Sequence, residues 1–354
     1  MSTKLYQILS ACLLFPALIG LVAVRAQSEP LPLHNGALSP DDPAAKLDPR
    51  LQNVPEKVAP LSSHIDTTNS GTTEVSYNTN TGIVQIGPTK PPQTIVPLTS
   101  SDAIEPSLGS APNSVAKPEK SSSSGITPQS VIGSDDRILI NDTTVYPWRA
   151  MTKLYITYPD EKSFTCSGVL ISAKYVLTAG HCVHDPSHGG FAKTVEVVPG
   201  LNGTYKPYGS FSSTNIRSYK NWTDNQDPNY DIALITLNQS LGDTVGWLGL
   251  ANYPSVDGVT AYIAGYPGDK DNALKLYYGY GPILSSTAQR LNYTIDMYNG
   301  QSGSGIYRII NDQRYVFGVN TNNVPIDGSS STNSGTRIDS AKYNDIQAWI
   351  SSGN

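Results

Sequence analysis

From about residue 130 onward, short apolar and β-branched runs alternate with turn-forming residues. Gly, Pro, Asn and Asp bound each run, a pattern typical of strands rather than helices. The predicted strands are Val145–Tyr158, Val169–Thr178, Thr194–Val198, Asp231–Leu237, Val259–Ala264, Leu274–Tyr280, Arg290–Ile295, Ile306–Ile310 and Tyr315–Val319. Near the C-terminus a helical spacing replaces this pattern, and one face of Ala341–Ile350 carries Tyr343, Ile346, Trp349 and Ile350. The pattern therefore predicts an all-β domain closed by one C-terminal helix.

The first 26 residues are predicted to be a secretory signal peptide. Lys4 precedes an apolar run over 8–24, and Val24-Arg25-Ala26 offers a small-residue cleavage site. The alternative is a membrane anchor, which a run of this length barely permits and which the small-residue end argues against.

Residues 27–129 differ in composition from the rest of the chain. Pro, Ser and Thr are dense, aromatic residues are few, and Ser121–Ser124 is a homopolymer. Such a segment cannot bury enough apolar surface to offset the loss of chain entropy, so a largely disordered linker or stalk is expected. Residues 130–354 are globular in composition and numerous enough for one all-β unit or two small barrels.

Candidate chemistry is concentrated at three places. The stretch Asn299–Gly305 surrounds Ser302 with glycines, which permit a sharp turn and let backbone N–H groups point at one oxyanion. His181 ends an apolar strand-like run at a small-residue turn, where an imidazole can serve as the base that a serine nucleophile needs. Asp231 opens another apolar run, and a carboxylate there can orient the imidazole.

These stretches, read as Thr178-Ala179-Gly180-His181-Cys182, Asp231-Ile232-Ala233-Leu234 and Gly300-Gln301-Ser302-Gly303-Ser304, resemble the chymotrypsin-like serine peptidases in residues and in order. Three further stretches resemble the glutamyl endopeptidase, or V8-like, branch. They are 130–137 (Ser-Val-Ile-Gly-Ser-Asp-Asp-Arg), 265–270 (Gly-Tyr-Pro-Gly-Asp-Lys) and 335–338 (Gly-Thr-Arg-Ile). The likeness covers about residues 130 to 350.

The resemblance implies a two-barrel fold, with the first barrel at about 130–240, the second at about 241–340 and the helix at 341–351. It implies that Ser302 is the nucleophile, His181 the base and Asp231 its orienting carboxylate, with Gly300 and Ser302 supplying the oxyanion-hole N–H groups. Ser304 is the rival serine.

The resemblance further implies a zymogen in which residues 27–129 are a propeptide and the mature N-terminus falls near Ser130 or Val131. The alternating run 82–86 is a segment that can pair with the enzyme. Gln301 stands where related enzymes often have an acid that binds the new N-terminal amine, so that ion pair is not available here. The freed N-terminus near Val131 is instead expected close to the specificity pocket.

The expected specificity pocket departs from the glutamyl pattern. Asn320 replaces the expected histidine and Met297 the expected Thr or Ser, so neither offers positive charge to an acidic substrate side chain. Asp296 precedes Ser302 at the spacing of a trypsin-like basic-residue pocket, but this branch commonly has aspartate there as a structural residue. A shallow pocket for apolar or uncharged polar residues is predicted, with basic specificity as the alternative.

Cysteine usage agrees with secretion. Cys12 lies in the signal peptide, which leaves Cys166 and Cys182 to form one disulfide. A zinc site is the competing interpretation, since His181, Cys182, His184, Asp185 and His188 lie close together in sequence. Their separations match no strong ligand pattern and no His-Glu-x-x-His motif is present, so neither a metal nor another cofactor is expected.

Partners are predicted from sequons and charge. Candidate glycosylation sites are Asn141, Asn202, Asn221, Asn238 and Asn292. The chain has 24 Lys and Arg against 29 Asp and Glu, a balance that argues against nucleic acid or an anionic membrane as partner. Polypeptide substrates and the chain's own propeptide are the expected partners of a monomeric, extracellular enzyme.

Two rival functions remain open. An inactive peptidase homologue would use the fold for binding only, although the three predicted catalytic residues argue against it. A secreted esterase or lipase would need a Gly-x-Ser-x-Gly elbow, which fails at Ser304, and a different order of Ser, acid and His.

Overall fold

The computed structural model describes residues 56–62, 72–88, 130–322 and 332–353. The strands in chain order are β1 (Leu61–Ser62), β2 (Thr73–Asn78), β3 (Ile83–Pro88), β4 (Ile138–Leu139), β5 (Met151–Thr157), β6 (Ser163–Ser172), β7 (Tyr175–Thr178), β8 (His184–Asp185), β9 (Gly190–Phe191), β10 (Thr194–Pro199), β11 (Phe211–Tyr219), β12 (Ala233–Leu237), β13 (Gly249–Asn252), β14 (Thr260–Gly265), β15 (Tyr277–Ser286), β16 (Arg290–Tyr293), β17 (Gly305–Ile310), β18 (Gln313–Asn322) and β19 (Asn333–Arg337). The α-helices are α1 (Lys220–Asn225), α2 (Gly242–Val245) and α3 (Ser340–Ser351). The predicted signal peptide, 1–26, lies outside the described residues.

The strands form two closed barrels of six antiparallel strands each. The first runs β10-β5-β6-β7-β12-β11 and closes where β11 pairs with β10. The second runs β18-β17-β14-β15-β16-β19 and closes where β19 pairs with β18. Closure leaves few free strand edges and encloses an apolar interior in each barrel. The predicted all-β, two-barrel fold is confirmed.

Inward-facing apolar side chains fill the barrels. Leu154, Val169 and Leu234 are fully buried in the first, and Ile263 and Ile306 in the second. Burying such a side chain contributes about 1.5–3 kcal/mol relative to leaving it exposed. The two barrels are therefore stabilised mainly by their interiors.

The predicted C-terminal helix is α3. The Asp339 side chain accepts a 2.8 Å hydrogen bond from the Lys342 N–H and so caps its first turn. Ile346 and Trp349 are buried, while Tyr343 and Ile350 pack half-buried against the same core. The apolar face read from the sequence is the face that packs on the protein.

Local predictions differ from the structure in several places. The predicted strand at Val145–Tyr158 begins only at Met151, since Pro147 has no N–H to give to a ladder and 148–150 form a 3₁₀ turn. The predicted strand at Val169–Thr178 is the hairpin of β6 and β7. The sequence pattern missed β11 and β19, which are rich in Ser, Thr and Asn, because barrel neighbours on both sides hold them rather than β propensity.

Part of the predicted propeptide is folded against the first barrel. Strands β2 and β3 form a hairpin, and β2 extends the sheet by pairing with β11 from Asn78↔Asn215 to Tyr219↔Glu74. Val75 is buried, and the Tyr77 ring stacks on Phe191 with centroids 5.1 Å apart. The alternating run 82–86 thus pairs with β2, which in turn pairs with the barrel.

A second segment of the predicted propeptide, residues 56–62, lies along the second barrel. Its strand β1 pairs in parallel with β13, and the Trp247 N–H donates a 2.8 Å hydrogen bond to the Glu56 carbonyl. Val58 is buried and Lys57 forms an ion pair with Asp243 at 2.7 Å. The described residues of the predicted propeptide, 56–62 and 72–88, are therefore ordered against the barrels.

The predicted glycosylation sites divide by exposure. Asn141 and Asn238 are exposed, and Asn202 and Asn221 are partly exposed. Asn292 lies in β16 and is 1% exposed, so a glycan on it cannot be accommodated in the folded protein. Among the described residues, no helix is both long and apolar enough to cross a membrane.

Candidate active site

His181 lies where β7 ends. The chain turns there through a short 3₁₀ segment, Gly180–Cys182, and Gly180 is required because a Cβ on it would come within 2.7 Å of the Trp222 ring. The predicted disulfide joins Cys182 to Cys166 on β6 and fixes this turn to the barrel. The base predicted from the sequence is thereby held on a rigid strand end.

Asp231 is fully buried and binds His181 twice. Its Oδ2 lies 2.8 Å from His181 Nδ1, and its Oδ1 accepts a 2.9 Å hydrogen bond from the His181 N–H. The carboxylate thus sets the ring orientation and favours the tautomer whose Nε2 is free to accept a proton. Burial lowers the pKa of His181, but the charge and hydrogen bond of Asp231 outweigh it, and the net pKa is raised.

The loop that carries Ser302 is fixed by both barrels. The Ser302 carbonyl accepts a 2.8 Å hydrogen bond from the Ser167 N–H on β6, and the Gly303 N–H donates at 2.8 Å to the Asn320 carbonyl on β18. Gly303 has φ +86° and packs so tightly on Thr178 that no Cβ fits. Gly303 directly follows Ser302, and Thr178 lies at the end of the strand that leads to His181. The contact between Gly303 and Thr178 therefore brings the Ser302 loop next to the turn that carries His181.

Gly300, predicted to supply an oxyanion-hole N–H, also has a constrained backbone. Its φ is +99°, and a Cβ would lie 2.5 Å from the Tyr266 carbonyl. The Gly300 carbonyl accepts a 2.8 Å hydrogen bond from Ser167 Oγ, which itself accepts from the Tyr266 N–H at 2.9 Å. A turn that only glycine can adopt therefore carries this N–H.

Ser304, the rival serine, is fully buried under Gly265. Its Oγ has no hydrogen-bond partner among the described residues. A substrate cannot reach this hydroxyl, whereas Ser302 is partly exposed. The geometry favours Ser302 of the two.

The predicted pocket residues Asn320 and Met297 are buried, and the Asn320 side chain is hydrogen-bonded at both ends. Asn320 Oδ1 accepts a 2.7 Å hydrogen bond from the Tyr293 hydroxyl, and its Nδ2 donates at 2.9 Å to the Gln301 carbonyl. Met297 is fully buried in the second barrel's apolar cluster. Tyr293 was missed in the sequence because it falls inside an apolar run with no sign of its distant partner.

Asp296 does not face the pocket as an unpaired charge. It is 2% exposed and accepts hydrogen bonds from the N–H groups of Ile132, at 2.6 Å, and Asp136, at 2.9 Å. Burial, and next the charge of Asp296, raise the pKa of Asp136 to about 6. Asp296 therefore anchors the segment 130–136, as expected for a structural residue.

Arg137 lies beside the candidate active site, and no role was predicted for it from the sequence. Its side chain is buried and forms ion pairs with Asp135 at 2.9 Å and Asp269 at 2.5 Å. Its Nη1 also lies 3.3 Å from Gln301 Oε1, beside the nucleophile loop. The stretches 130–137 and 265–270, noted only as points of resemblance, meet at this cluster.

The chemistry of a metal centre does not fit the residues present. Among the described residues, the single group of three potential ligands that lie close together is Cys166, His181 and Cys182. The two sulfurs are bonded to each other, so they are not thiolates and cannot ligate a metal as such. His184, Asp185 and His188 do not join this group.

Comparisons with known proteins identify the family. A profile of the trypsin family matches residues 140–350. The chain is 41% identical over 228 residues to the "Extracellular metalloprotease" of Bacillus subtilis, covering 63% of this chain and 71% of that protein. It is 40% identical over 230 residues to the "Glutamyl endopeptidase" of Bacillus licheniformis, covering 63% and 70%.

A solved structure of a Glu endopeptidase in complex with MPD superposes with a TM-score of 0.56 at 28% identity, covering 63% of this chain and 99% of that one. The first relative's name mentions a metal; among the described residues of this chain, the one close group of potential ligands includes two sulfurs that are bonded to each other. The chain therefore belongs to the trypsin family and is a serine endopeptidase of its glutamyl endopeptidase, or V8-like, branch.

Proposed function

We propose that the protein is a secreted serine endopeptidase, made as a zymogen, that cleaves peptide bonds through an acyl-enzyme at Ser302. The observation that carries the proposal is the pair of hydrogen bonds that Asp231 accepts from the ring and the backbone N–H of His181. This arrangement leaves the far ring nitrogen, Nε2, available as a base.

In the first half of the reaction, Ser302 Oγ attacks the scissile carbonyl carbon while His181 Nε2 takes the hydroxyl proton. The C–N bond then breaks, and His181 gives that proton to the leaving amine. Water repeats the sequence on the ester, which releases the acid and restores Ser302. The Gly300 and Ser302 N–H groups stabilise the oxyanion in both halves.

The preferred residue before the cut bond is proposed to be apolar or uncharged polar. The Asn320 amide is neutral and engaged at both ends, and Met297 presents only apolar atoms, so neither offers charge to a glutamate. Asp296 is occupied by two backbone N–H groups, which argues against a preference for Lys or Arg.

Glutamate specificity is the second candidate, and one observation favours it. The Ser130 N–H donates to Asn333 Oδ1 at 3.0 Å, and the Ser130 carbonyl accepts from Asn333 Nδ2 at 2.7 Å and from the Met297 N–H at 3.3 Å. An amine freed at Ser130 or Val131 would thus lie beside Met297 and could supply the missing charge. Adding one residue to the processed N-terminus would then change the kinetics on substrates with Glu.

Secretion and zymogen formation are supported by the sequence and by the folded propeptide. The B. subtilis relative is extracellular by its name, and the predicted signal peptide agrees. Residues 56–62 and 72–88 bind the outside of the two barrels, one segment to each, which is what a propeptide that assists folding would do.

Cleavage of a mixed peptide library by the processed protein, beside Ser302→Ala, tests this function. We expect cleavage that needs Ser302 and follows apolar or uncharged polar residues. Cleavage after Glu would instead support glutamate specificity, with the freed N-terminal amine supplying the positive charge. A folded, secreted protein that neither cuts peptides nor reacts with a fluorophosphonate would contradict the enzyme, and ester hydrolysis without peptide cleavage would favour the esterase.

A further inference from the structure

The guanidinium of Arg137 binds two carboxylates at once. Its Nε and Nη2 donate to the two oxygens of Asp135 at 3.0 and 2.9 Å, and its Nη1 and Nη2 donate to the two oxygens of Asp269 at 3.0 and 2.5 Å. Lys270 also pairs with Asp135, at 2.8 Å. Two carboxylates and two cations thus balance, and a planar guanidinium binds both carboxylates in a fixed geometry.

The remaining contact of the Arg137 guanidinium is with the loop that carries Ser302. Nη1 lies 3.3 Å from Oε1 of Gln301, a residue that is fully buried and directly precedes Ser302. The same Oε1 accepts a 3.0 Å hydrogen bond from the Tyr298 N–H, and the Gln301 N–H donates at 3.0 Å to the Tyr298 carbonyl. Gln301 therefore closes the turn that presents the Gly300 N–H, and Arg137 holds Gln301.

These contacts need no free N-terminus. Arg137 uses its side chain, and the Ile132 and Asp136 bonds to Asp296 use internal peptide N–H groups. They are present in a chain that still carries residues 56–62 and 72–88. The hydrogen bonds from Arg137 hold the pKa of Asp135 well below its usual range, so this carboxylate stays charged.

We propose that Arg137 is a positioning residue for catalysis, which fixes the oxyanion-hole turn through Gln301 and takes the place of an ion pair made by a new N-terminal amine. The proposal rests on the assignment of Ser302 as nucleophile. Its consequence is that removing the Arg137–Gln301 contact slows turnover rather than weakening substrate binding, since the oxyanion forms only in the transition state.

The test compares purified, processed variants for kcat, KM, thermal midpoint and labelling by a fluorophosphonate. Arg137→Gln and Gln301→Leu are each expected to lower kcat by about 10- to 100-fold with KM changed less than about threefold, because a misplaced oxyanion donor costs rate. Gln301→Glu keeps an oxygen acceptor for Arg137 that Gln301→Leu lacks, so its kcat is expected to stay within about threefold of the wild-type value. Arg137→Lys is expected to recover little of the lost kcat, because an ammonium cannot bind both carboxylates and Gln301 in the planar geometry of a guanidinium.

The matched control is Arg337→Gln. Arg337 is equally buried and donates to the carbonyls of Thr287 and Tyr253, away from the Ser302 loop. It should lower the thermal midpoint while leaving kcat within about threefold, which separates loss of stability from loss of positioning.

The double variant Arg137→Gln with Gln301→Leu should be no worse than the worse single variant by more than about threefold, because both remove one contact. Additive losses, or unchanged kcat in folded Arg137→Gln, would overturn the proposal. If Arg137→Gln is not secreted, Gln301→Leu with wild-type kcat overturns it equally well. An unmodified enzyme that the fluorophosphonate does not label would instead refute the Ser302 assignment on which the proposal rests.

Discussion

The Tyr293 hydroxyl donates a 2.7 Å hydrogen bond to Asn320 Oδ1, and both side chains are fully buried. Tyr293 is on β16 and Asn320 on β18, with β19 between them. The Asn320 amide then donates to the Gln301 carbonyl next to Ser302. The predicted pocket and the loop that carries Ser302 are thus connected through one neutral amide.

Asn320→His is expected to shift specificity toward glutamate. A protonated imidazole supplies the positive charge that the amide lacks, so cleavage after Glu relative to cleavage after Leu should rise by at least about tenfold, or ~1.4 kcal/mol, and more at lower pH. Paired peptide substrates that differ only at this residue measure the ratio. Asn320→Ala is the control, expected to lose about 1–3 kcal/mol of stability and gain nothing toward Glu. An unchanged ratio in Asn320→His would remove Asn320 from the pocket.

The acidic limb of kcat/KM against pH should report His181. Catalysis needs the neutral ring, so activity rises as pH passes the pKa of His181, which Asp231 raises above the ordinary value of about 6.5. In Asp231→Asn, burial remains while the charge is gone, so the limb should move to lower pH and kcat should fall by about 10⁴-fold.

Asp185→Asn serves as the control for this shift. The charge of Asp185 also raises the pKa of His181, but less than the charge and hydrogen bond of Asp231 do. We expect a smaller movement of the limb in the same direction, with kcat retained. A limb that stays in place in Asp231→Asn would mean that another group controls the profile.

Lys153 is expected to reduce stability at neutral pH. It is fully buried, its Nζ has no hydrogen-bond partner among the described residues, and its nearest favourable contacts are the Tyr155 and Tyr266 rings at 5.8 Å. Burial lowers its pKa from 10.5 to about 7. The unfolded chain therefore binds a proton more readily than the folded one, so stability falls as pH drops from about 10.5 to 7 and the loss is complete below 7.

Lys153→Met should remove this pH dependence and stabilise the protein by up to about 5 kcal/mol at pH 6. Urea unfolding from pH 6 to 10, in a Ser302→Ala background that prevents self-cleavage, measures it. Lys174→Met, at an exposed lysine, is the matched control and should leave the pH profile unchanged. A destabilised Lys153→Met would mean that the ammonium is better solvated than its burial indicates.

The hairpin of β2 and β3, in the proposed propeptide, has two valines that can be compared. Val75 on β2 is buried against the barrel, whereas Val84 on β3 is 50% exposed. Val75→Asp is expected to reduce the yield of secreted, folded enzyme severalfold, because a carboxylate cannot be buried there unpaired. Val84→Asp should leave the yield nearly unchanged. Equal yields would mean that the hairpin does not assist folding.

Local sequence was sufficient to predict the fold class and to single out three candidate catalytic residues. Short bounded apolar runs are typical of barrels, and the catalytic residues lie at strand ends and glycine turns whose composition reflects local backbone needs. The structure brings His181 and Asp231 into contact as those motifs predicted. The strands β11 and β19 escaped the pattern because barrel closure, and not their own residues, makes them strands.

The sequence by itself therefore determined what depends on neighbours in the chain: the strand pattern, the helix α3, the disulfide pair and the motifs around His181, Asp231 and Ser302. The tertiary structure decided what depends on distant partners. Arg137 meets Gln301, Tyr293 meets Asn320, and β2 joins β11 only because barrel closure and strand register bring them together. Burial is set the same way, since the side of a strand that faces inward depends on register, and this is why Asn292 lies inside the protein.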